Sequence, residues 1–312
     1  MPEVQYLLIK PEEAGQKLIS FLQRKTRKKI PYSALMRWIR TGQVRIDGKR
    51  AKPFGRLRAG QKVRIPPHVS GVESESKILS HQKLDIVYED EQFLVINKPS
   101  GLPVHPGSGH KDSVVLRLRT QFAECHFPPT PVHRLDKDTS GLLLVAKSFS
   151  FLRAMQKIWS SKVNKLYLAW VRGVWPYRKW VKLENKLLVR KEVEKQRNKE
   201  PASYIAKKVV ISSKGKQARS WAFLLRVISG YSLLALRLET GRTHQLRVQL
   251  ATRNHPIVGD FRYGHHEPYP LLLHAWQLSW PGYDFTSLPK WPQEFKVSAK
   301  WVSNPNLFEF KG

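Results

Sequence analysis

Within nine residues, His133-Arg134-Leu135-Asp136-Lys137-Asp138-Thr139-Ser140-Gly141 sets two carboxylates beside an imidazole and a guanidinium. An ionised carboxylate can attack carbon covalently or remove a proton, provided that its surroundings keep it charged. The segment follows a proline-rich approach, Pro128-Pro129-Thr130-Pro131, and runs into the apolar stretch Leu142-Leu143-Leu144-Val145. It reads as a loop fixed by a strand, a common place for reactive groups because the strand holds what the loop exposes. Asp138, Thr139 and Ser140 are turn formers whose side chains satisfy nearby backbone N–H groups. Asp136 is less readily explained in that way, although a lone loop aspartate is more often a turn or cap residue than a catalyst.

Three further blocks concentrate polar and aromatic residues: Asn97-Lys98-Pro99-Ser100-Gly101-Leu102-Pro103-Val104-His105, Lys165-Leu166-Tyr167-Leu168-Ala169-Trp170-Val171-Arg172-Gly173 and Gly241-Arg242-Thr243-His244-Gln245-Leu246-Arg247-Val248. His255-Pro256-Ile257, Gly259-Asp260 and Tyr263-Gly264 extend the last. Cys125 is the only cysteine, which excludes an internal disulfide and a CxxC metal site. His105, His110, His126, His265 and His266 form no metal spacing with carboxylates, and no glycine-rich nucleotide loop is present. Neither a metal nor an organic cofactor is expected.

The elements that would hold these blocks fall into two regions. From residue 15 to 67, Leu18, Ile19 and Leu22 and then Leu35, Trp38 and Ile39 have helical spacing, the second helix starting near Pro31 and Ser33 and stopping at Thr41-Gly42. The run from Gln43 through an Asp47-Gly48 turn to Arg50 alternates as a strand pair, and Lys62 to Ile65 alternates again. Residues 69–82, rich in Ser, Gly and Glu, read as a linker. Beyond it, strand-like runs at 93–96, 142–145 and 233–236 interleave with helix-like stretches at 151–161 and 243–251, the pattern of an α+β domain. The basic stretch 191–199 is expected to be an exposed hairpin or insertion.

Charge narrows the partner: 55 Lys and Arg against 24 Asp and Glu give a net charge of +31 across 312 residues. Such an excess seeks a polyanion, and with no apolar run long enough for a bilayer and no basic amphipathic helix, nucleic acid is favoured over a membrane. Residues 1–70 are especially basic, with 17 Lys and Arg against 4 Asp and Glu. The N-terminus lacks the basic-then-apolar order of a secretory signal, so a cytoplasmic location is expected.

The nonapeptide around Asp136, flanked in order by the other three blocks, resembles the signature of the RluA family of pseudouridine synthases, which modify ribosomal and transfer RNA. The helix pair and strand return of the N-terminal region resemble the S4 RNA-binding module. Together these resemblances imply an S4 domain (αL-type) at 1–68, a linker at 69–82, and a catalytic domain at 83–312 with a mixed, mainly antiparallel sheet flanked by helices and loops. They assign the catalytic role to Asp136 and leave Asp138 as a structural residue. Tyr167 takes the family position of a tyrosine that packs on the target base, with transfer of the C5 proton its weaker role. Arg247 is implied as the cation that keeps Asp136 ionised and Arg134 as the residue inserted beside a flipped-out uridine; His133, next to it, is grouped with the RNA-binding and base-flipping residues and read as a support for the loop. Arg37, Arg40, Arg45 and Lys49 are the expected RNA contacts of the S4 module. Taken without the resemblance, Arg134 and Arg247 would be phosphate contacts, Tyr167 a packed strand aromatic, and the N-terminal region a solvated basic hairpin.

The implied reaction detaches the uracil of a uridine from C1′ of its sugar at N1 and rejoins it through C5, an isomerisation that needs no cofactor. Asp136 could add covalently or abstract the C2′ proton, and the sequence leaves both open. The S4 arrangement looks most like the RluC-like branch, whose target is 23S ribosomal RNA; transfer RNA, or a catalytically idle RNA-binding or ribosome-assembly protein on the same fold, are the alternatives. Gln249 stands where many relatives have His. The chain is expected to act as a monomer on structured RNA.

Overall fold

The computed structural model describes residues 3–26, 30–67, 82–106, 112–194 and 204–303, with the backbone alone at 191–194 and 204–207. The expected linker, apart from Gln82, lies outside the described residues, as do His110 and positions 195–199 of the basic stretch. Contacts divide the chain into two compact units, one of residues 1–95, 105–133 and 144–157, the other of 96–104, 134–143 and 158–312.

The first unit opens with strand β1 (Gln5–Leu8), helices α1 (Leu18–Lys25) and α2 (Tyr32–Arg40), and strands β2 (Arg45–Ile46), β3 (Lys49–Arg50) and β4 (Lys62–Ile65). Leu35 and Ile39, four apart, lie on the buried face of α2, while Arg37 and Arg40 are exposed. With Leu18, Phe21 and Leu22 of α1 they share a core with Val44, Val63 and Ile65 of the sheet segments. That sheet is antiparallel in the order β1-β4-β2-β3. Asp47 and Gly48 both take positive φ, 49° and 75°, the backbone that a two-residue hairpin turn between right-twisted strands requires. Strand β1 was not anticipated. It is a sheet edge with Tyr6 and Leu8 both largely exposed, so its residues carry no inside-outside alternation.

The same unit continues with the hairpin of β5 (Asp85–Glu89) and β6 (Phe93–Lys98), where Asp90 Oδ1 accepts the N–H groups of Gln92 and Phe93. Helix α3 (Val114–Gln121) is capped by Ser113, whose hydroxyl accepts the Leu116 N–H. Strand β7 (Thr130–Pro131) pairs with the end of β8 (Ser140–Ala146), and helix α4 (Phe149–Ile158) follows.

In the second unit, β9 (Asn164–Arg172), β10 (Val181–Glu194), β11 (Tyr204–Ile211), β12 (Lys216–Ile228), β13 (Tyr231–Leu238), helix α5 (Gln245–Ala251), β14 (Leu273–Trp280), β15 (Tyr283–Thr286) and helix α6 (Ala299–Val302) follow in turn. The sheet runs β11-β10-β12-β13-β9-β14-β8, with β15 beside β14. Its pairings are antiparallel except that of β14 with β8, where His274 faces Ser140 and Ala275 faces Gly141. This is the mixed, mainly antiparallel sheet with helices that the sequence implied. Strand β9 is buried almost throughout, and Leu168 and Trp170 pack with Leu233, Val258, Leu272, Trp276 and Phe295. The Trp170 indole N–H finds the Phe295 carbonyl at 2.9 Å, so this large ring is buried without an orphaned donor.

Helix α5 starts two residues later than the apolar spacing suggests. His244 takes φ 50° and ψ 24°, a left-handed conformation that cannot belong to a right-handed helix. The chain turns there, and residues Gln245 to Leu250 are all buried. Gln249 explains its own type: its amide donates to the Leu183 and Ala218 carbonyls and accepts the Ser220 hydroxyl, tying α5 to β10 and β12.

Candidate active site

The loop that carries Asp136 is held from three directions. The Thr139 N–H bonds the Asp136 carbonyl at 3.2 Å, closing a tight turn. Below it, the fully buried Lys98 amine donates to the carbonyls of Pro99, Leu102 and Lys137 at 2.8, 2.8 and 2.9 Å. Burial pushes Lys98 down to about 7, against the pull of Asp138 and Asp136. The Ser100 hydroxyl adds a bond to the Asp138 carbonyl, so Asp138 contributes backbone to the scaffold.

At the loop's far end Ser140 and Gly141 join β14. The His274 ring accepts the Ser140 hydroxyl at Nδ1 and donates from Nε2 to the Ser287 carbonyl, both at 2.8 Å. That carbonyl can only accept, which fixes the tautomer. Burial holds His274 down to about 4, so the ring is neutral near pH 7. Gly141 has φ 110°, and a Cβ there would stand 2.3 Å from the Ala275 carbonyl oxygen. No other residue type fits so close an approach of two backbones.

Asp136 faces a cleft of about 100 Å³ lined also by Arg134, Tyr167, Arg242, His244 and Arg247. Its side chain is 19% exposed, and His244 Nε2 stands 4.0 Å from its Oδ2. Tyr167, in mid-β9, is buried, and burial together with the Asp136 charge raises its phenol well above the ordinary value. The ring therefore stays a phenol at neutral pH.

Arg247 lines the cleft but is hydrogen-bonded elsewhere. The sequence reading set its guanidinium against Asp136; the structure gives it to Asp260, with Nε and Nη2 at 2.8 and 2.7 Å from the two carboxylate oxygens. Both partners are buried. Burial lowers the Arg247 pKa, but Asp260, with a smaller pull from Asp136, leaves it above its ordinary value, so the charge is permanent. Its influence on Asp136 is through space. The Arg247 guanidinium also sits over the Tyr263 ring, 5.3 Å from the centroid.

Of the other expected residues, Arg134 is exposed at the cleft wall. His133 does not line the cleft; its Nε2 accepts the Leu144 N–H at 3.0 Å. Arg37, Arg40, Arg45 and Lys49 are exposed on α2 and the small sheet and take no part in the cleft. Sequence reasoning passed over Lys98, His244, Asp260 and Tyr263 as individuals. All four stand inside the blocks it singled out, but a block does not say which members touch one another.

The cleft combines a largely buried carboxylate, a buried neutral phenol, a fixed guanidinium and the exposed Arg134 cation at its wall. Such a set suits a reaction in which an anionic side chain acts on an electrophilic or acidic carbon beside a planar ring, with phosphate charge held close by.

Residues 92–252 match the family described as RNA pseudouridylate synthase. The "Ribosomal large subunit pseudouridine synthase C" of Buchnera aphidicola subsp. Baizongia pistaciae is 37% identical over 266 residues, covering 83% of this chain and 80% of that protein. The protein of the same name from Escherichia coli is 38% identical over 274 residues, 85% and 82% of the two chains. Among solved structures, human "RNA Pseudouridylate Synthase Domain Containing 1" superposes with a TM-score of 0.56 over 73% of this chain and 96% of that one, at 24% identity, a likeness of fold.

Proposed function

Since the chain belongs to the RNA pseudouridylate synthase family, we propose that it isomerises uridine to pseudouridine in large-subunit ribosomal RNA, with Asp136 as the catalytic carboxylate. The observation that carries this reading is the setting of Asp136: a loop braced by Lys98, His274 and Gly141 presents it to a cleft whose floor is a buried tyrosine. The names of the relatives from Buchnera and Escherichia coli support ribosomal RNA over transfer RNA as the substrate class.

Each side chain then has a task. The target nucleotide leaves its stack to reach the cleft, and the exposed Arg134 occupies the space it vacates. Tyr167 packs against the uracil; its raised pKa favours this role over that of a base. Arg247, locked to Asp260, keeps a fixed guanidinium in the same cleft as Asp136, where it can orient an anionic group of the substrate. The N1–C1′ bond breaks, the base turns, and C5 bonds to C1′; C5 gives up its proton and N1 gains one, so the product is an isomer, and Asp136 drives this either by covalent addition that is later reversed or by taking the C2′ proton and returning it.

The two-helix, four-stranded region of residues 5–65, with Arg37, Arg40, Arg45 and Lys49 exposed, acts as an S4 module that docks the RNA backbone. Tritium release from C5-labelled uridine in ribosomal RNA tests the reading. Wild type should release label and Asp136→Asn should not, while equal release from both would overturn the assignment of Asp136. Mapping pseudouridines in cells with and without the gene identifies the target, and sites lost only from transfer RNA would overturn the ribosomal substrate.

A further inference from the structure

His244 lies between two groups that fix its chemistry. Its Nδ1 is 2.7 Å from the Tyr263 hydroxyl, and that hydroxyl also accepts the Val209 N–H at 3.1 Å. With the Val209 N–H already donating to this hydroxyl, the phenol proton is directed at His244 Nδ1, and a ring that accepts there carries its own proton on Nε2. Nε2 is the atom that faces Asp136 Oδ2, 4.0 Å away. The ring is held in place by more than this bond. His244 stands at the left-handed residue before α5, 16% exposed, with the Tyr263 ring edge-on at 5.5 Å.

We infer that His244 is a positioning residue for the catalytic carboxylate: with RNA in the cleft, its Nε2–H donates to Asp136 Oδ2 and leaves Oδ1 as the oxygen that reacts. The inference rests on the isomerase reading of the site. Its geometric basis is that a carboxylate rotates about a single bond, and a shift of about 1 Å brings a 4.0 Å contact into hydrogen-bond range. Burial, followed by the charges of Arg247 and Arg262, keeps the imidazole below its usual pKa despite Asp136 and Asp260, so it acts as a neutral donor and not as a competing cation. Tyr263 is the residue that sets the tautomer, and through Val209 it makes the orientation of His244 depend on strand β11.

Three variants test this by single-turnover tritium release with saturating enzyme, alongside RNA affinity and melting temperature. His244→Asn tolerates the left-handed backbone but its amide reaches only the Nδ1 position. It should react roughly 10–100-fold more slowly, the factor expected for a hydrogen bond to a charged group, with RNA affinity within about twofold of wild type. His244→Gln carries an amide N–H out to the Nε2 position and should recover much of that loss. Tyr263→Phe, which frees the tautomer, should slow the reaction about tenfold without weakening RNA binding. A His244→Asn rate within about twofold of wild type, equal slowing of the Asn and Gln variants, or a loss confined to RNA affinity would each overturn the inference. A wild-type protein that releases no tritium would instead overturn the isomerase reading beneath it.

Discussion

Replacing Asp260 by Asn isolates the charge that holds Arg247. Asp260 is 1% exposed and serves four donors: Arg247 Nε and Nη2, and the N–H groups of Arg262 and Tyr263 at 3.1 and 3.2 Å. An Asn side chain fills the same space but brings one acceptor oxygen, a pair of N–H groups and no charge. The guanidinium would face an N–H and stand buried without a counter-ion, a situation that costs about 3–5 kcal/mol. Against a total stability of about 5–15 kcal/mol, that loss is severe. Chemical denaturation by fluorescence, the chain having 10 tryptophans, measures it. Arg247→Gln alone should cost a similar amount because it strands the Asp260 carboxylate. The double variant, with no buried charge left, should lose much less than the sum, a coupling of about 2 kcal/mol or more. Additive losses, or an Asp260→Asn protein within about 1 kcal/mol of wild type, would refute the view that this pair is a buried, mutually dependent unit.

Acid should weaken the second unit through His274. Its folded pKa of about 4 lies below the unfolded 6.5, so the unfolded chain binds the extra proton first; stability is full above 6.5 and falls as pH drops toward 4. The span corresponds to about 3 kcal/mol, and His274→Gln should flatten that part of a stability-versus-pH curve. Affinity for ribosomal RNA should fall steeply with salt, and replacing Arg37, Arg40, Arg45 and Lys49 together by Gln should reduce the slope of log affinity against log salt by about 3, at roughly 0.7–0.9 per phosphate contact. An unchanged slope would take those four side chains out of the RNA contact.

Much of the site was legible because its residues cluster in sequence. Asp136, Arg134 and the turn formers after them share one short loop, and the apolar run beyond it could only be a strand. The apolar runs showed an α+β domain and the family resemblance implied its mainly antiparallel sheet, yet the parallel pairing of β8 with β14 was not legible, since it joins residues 134 positions apart through a glycine whose need appears only when Ala275 is seen against it. Arg247 shows the same limit. The family resemblance set it against a carboxylate, but which carboxylate depended on the turn that brings Asp260 back under α5. Strand β1 escaped because an exposed edge needs no apolar alternation.

The smallness of the cleft carries a consequence for selectivity. At about 100 Å³ it is well under the roughly 300–1,000 Å³ of pockets that retain a free metabolite, so a loose nucleoside gains little by entering. On the proposed reading, affinity comes from the polymer, gathered along a chain with a net charge of +31, and offsets the cost of pulling one nucleotide out of its stack. On the proposed reading, free uridine is a poor substrate because it brings none of that polymer contact. Discrimination resides in what surrounds the target in the folded RNA, and the reacting groups themselves can remain indifferent to sequence.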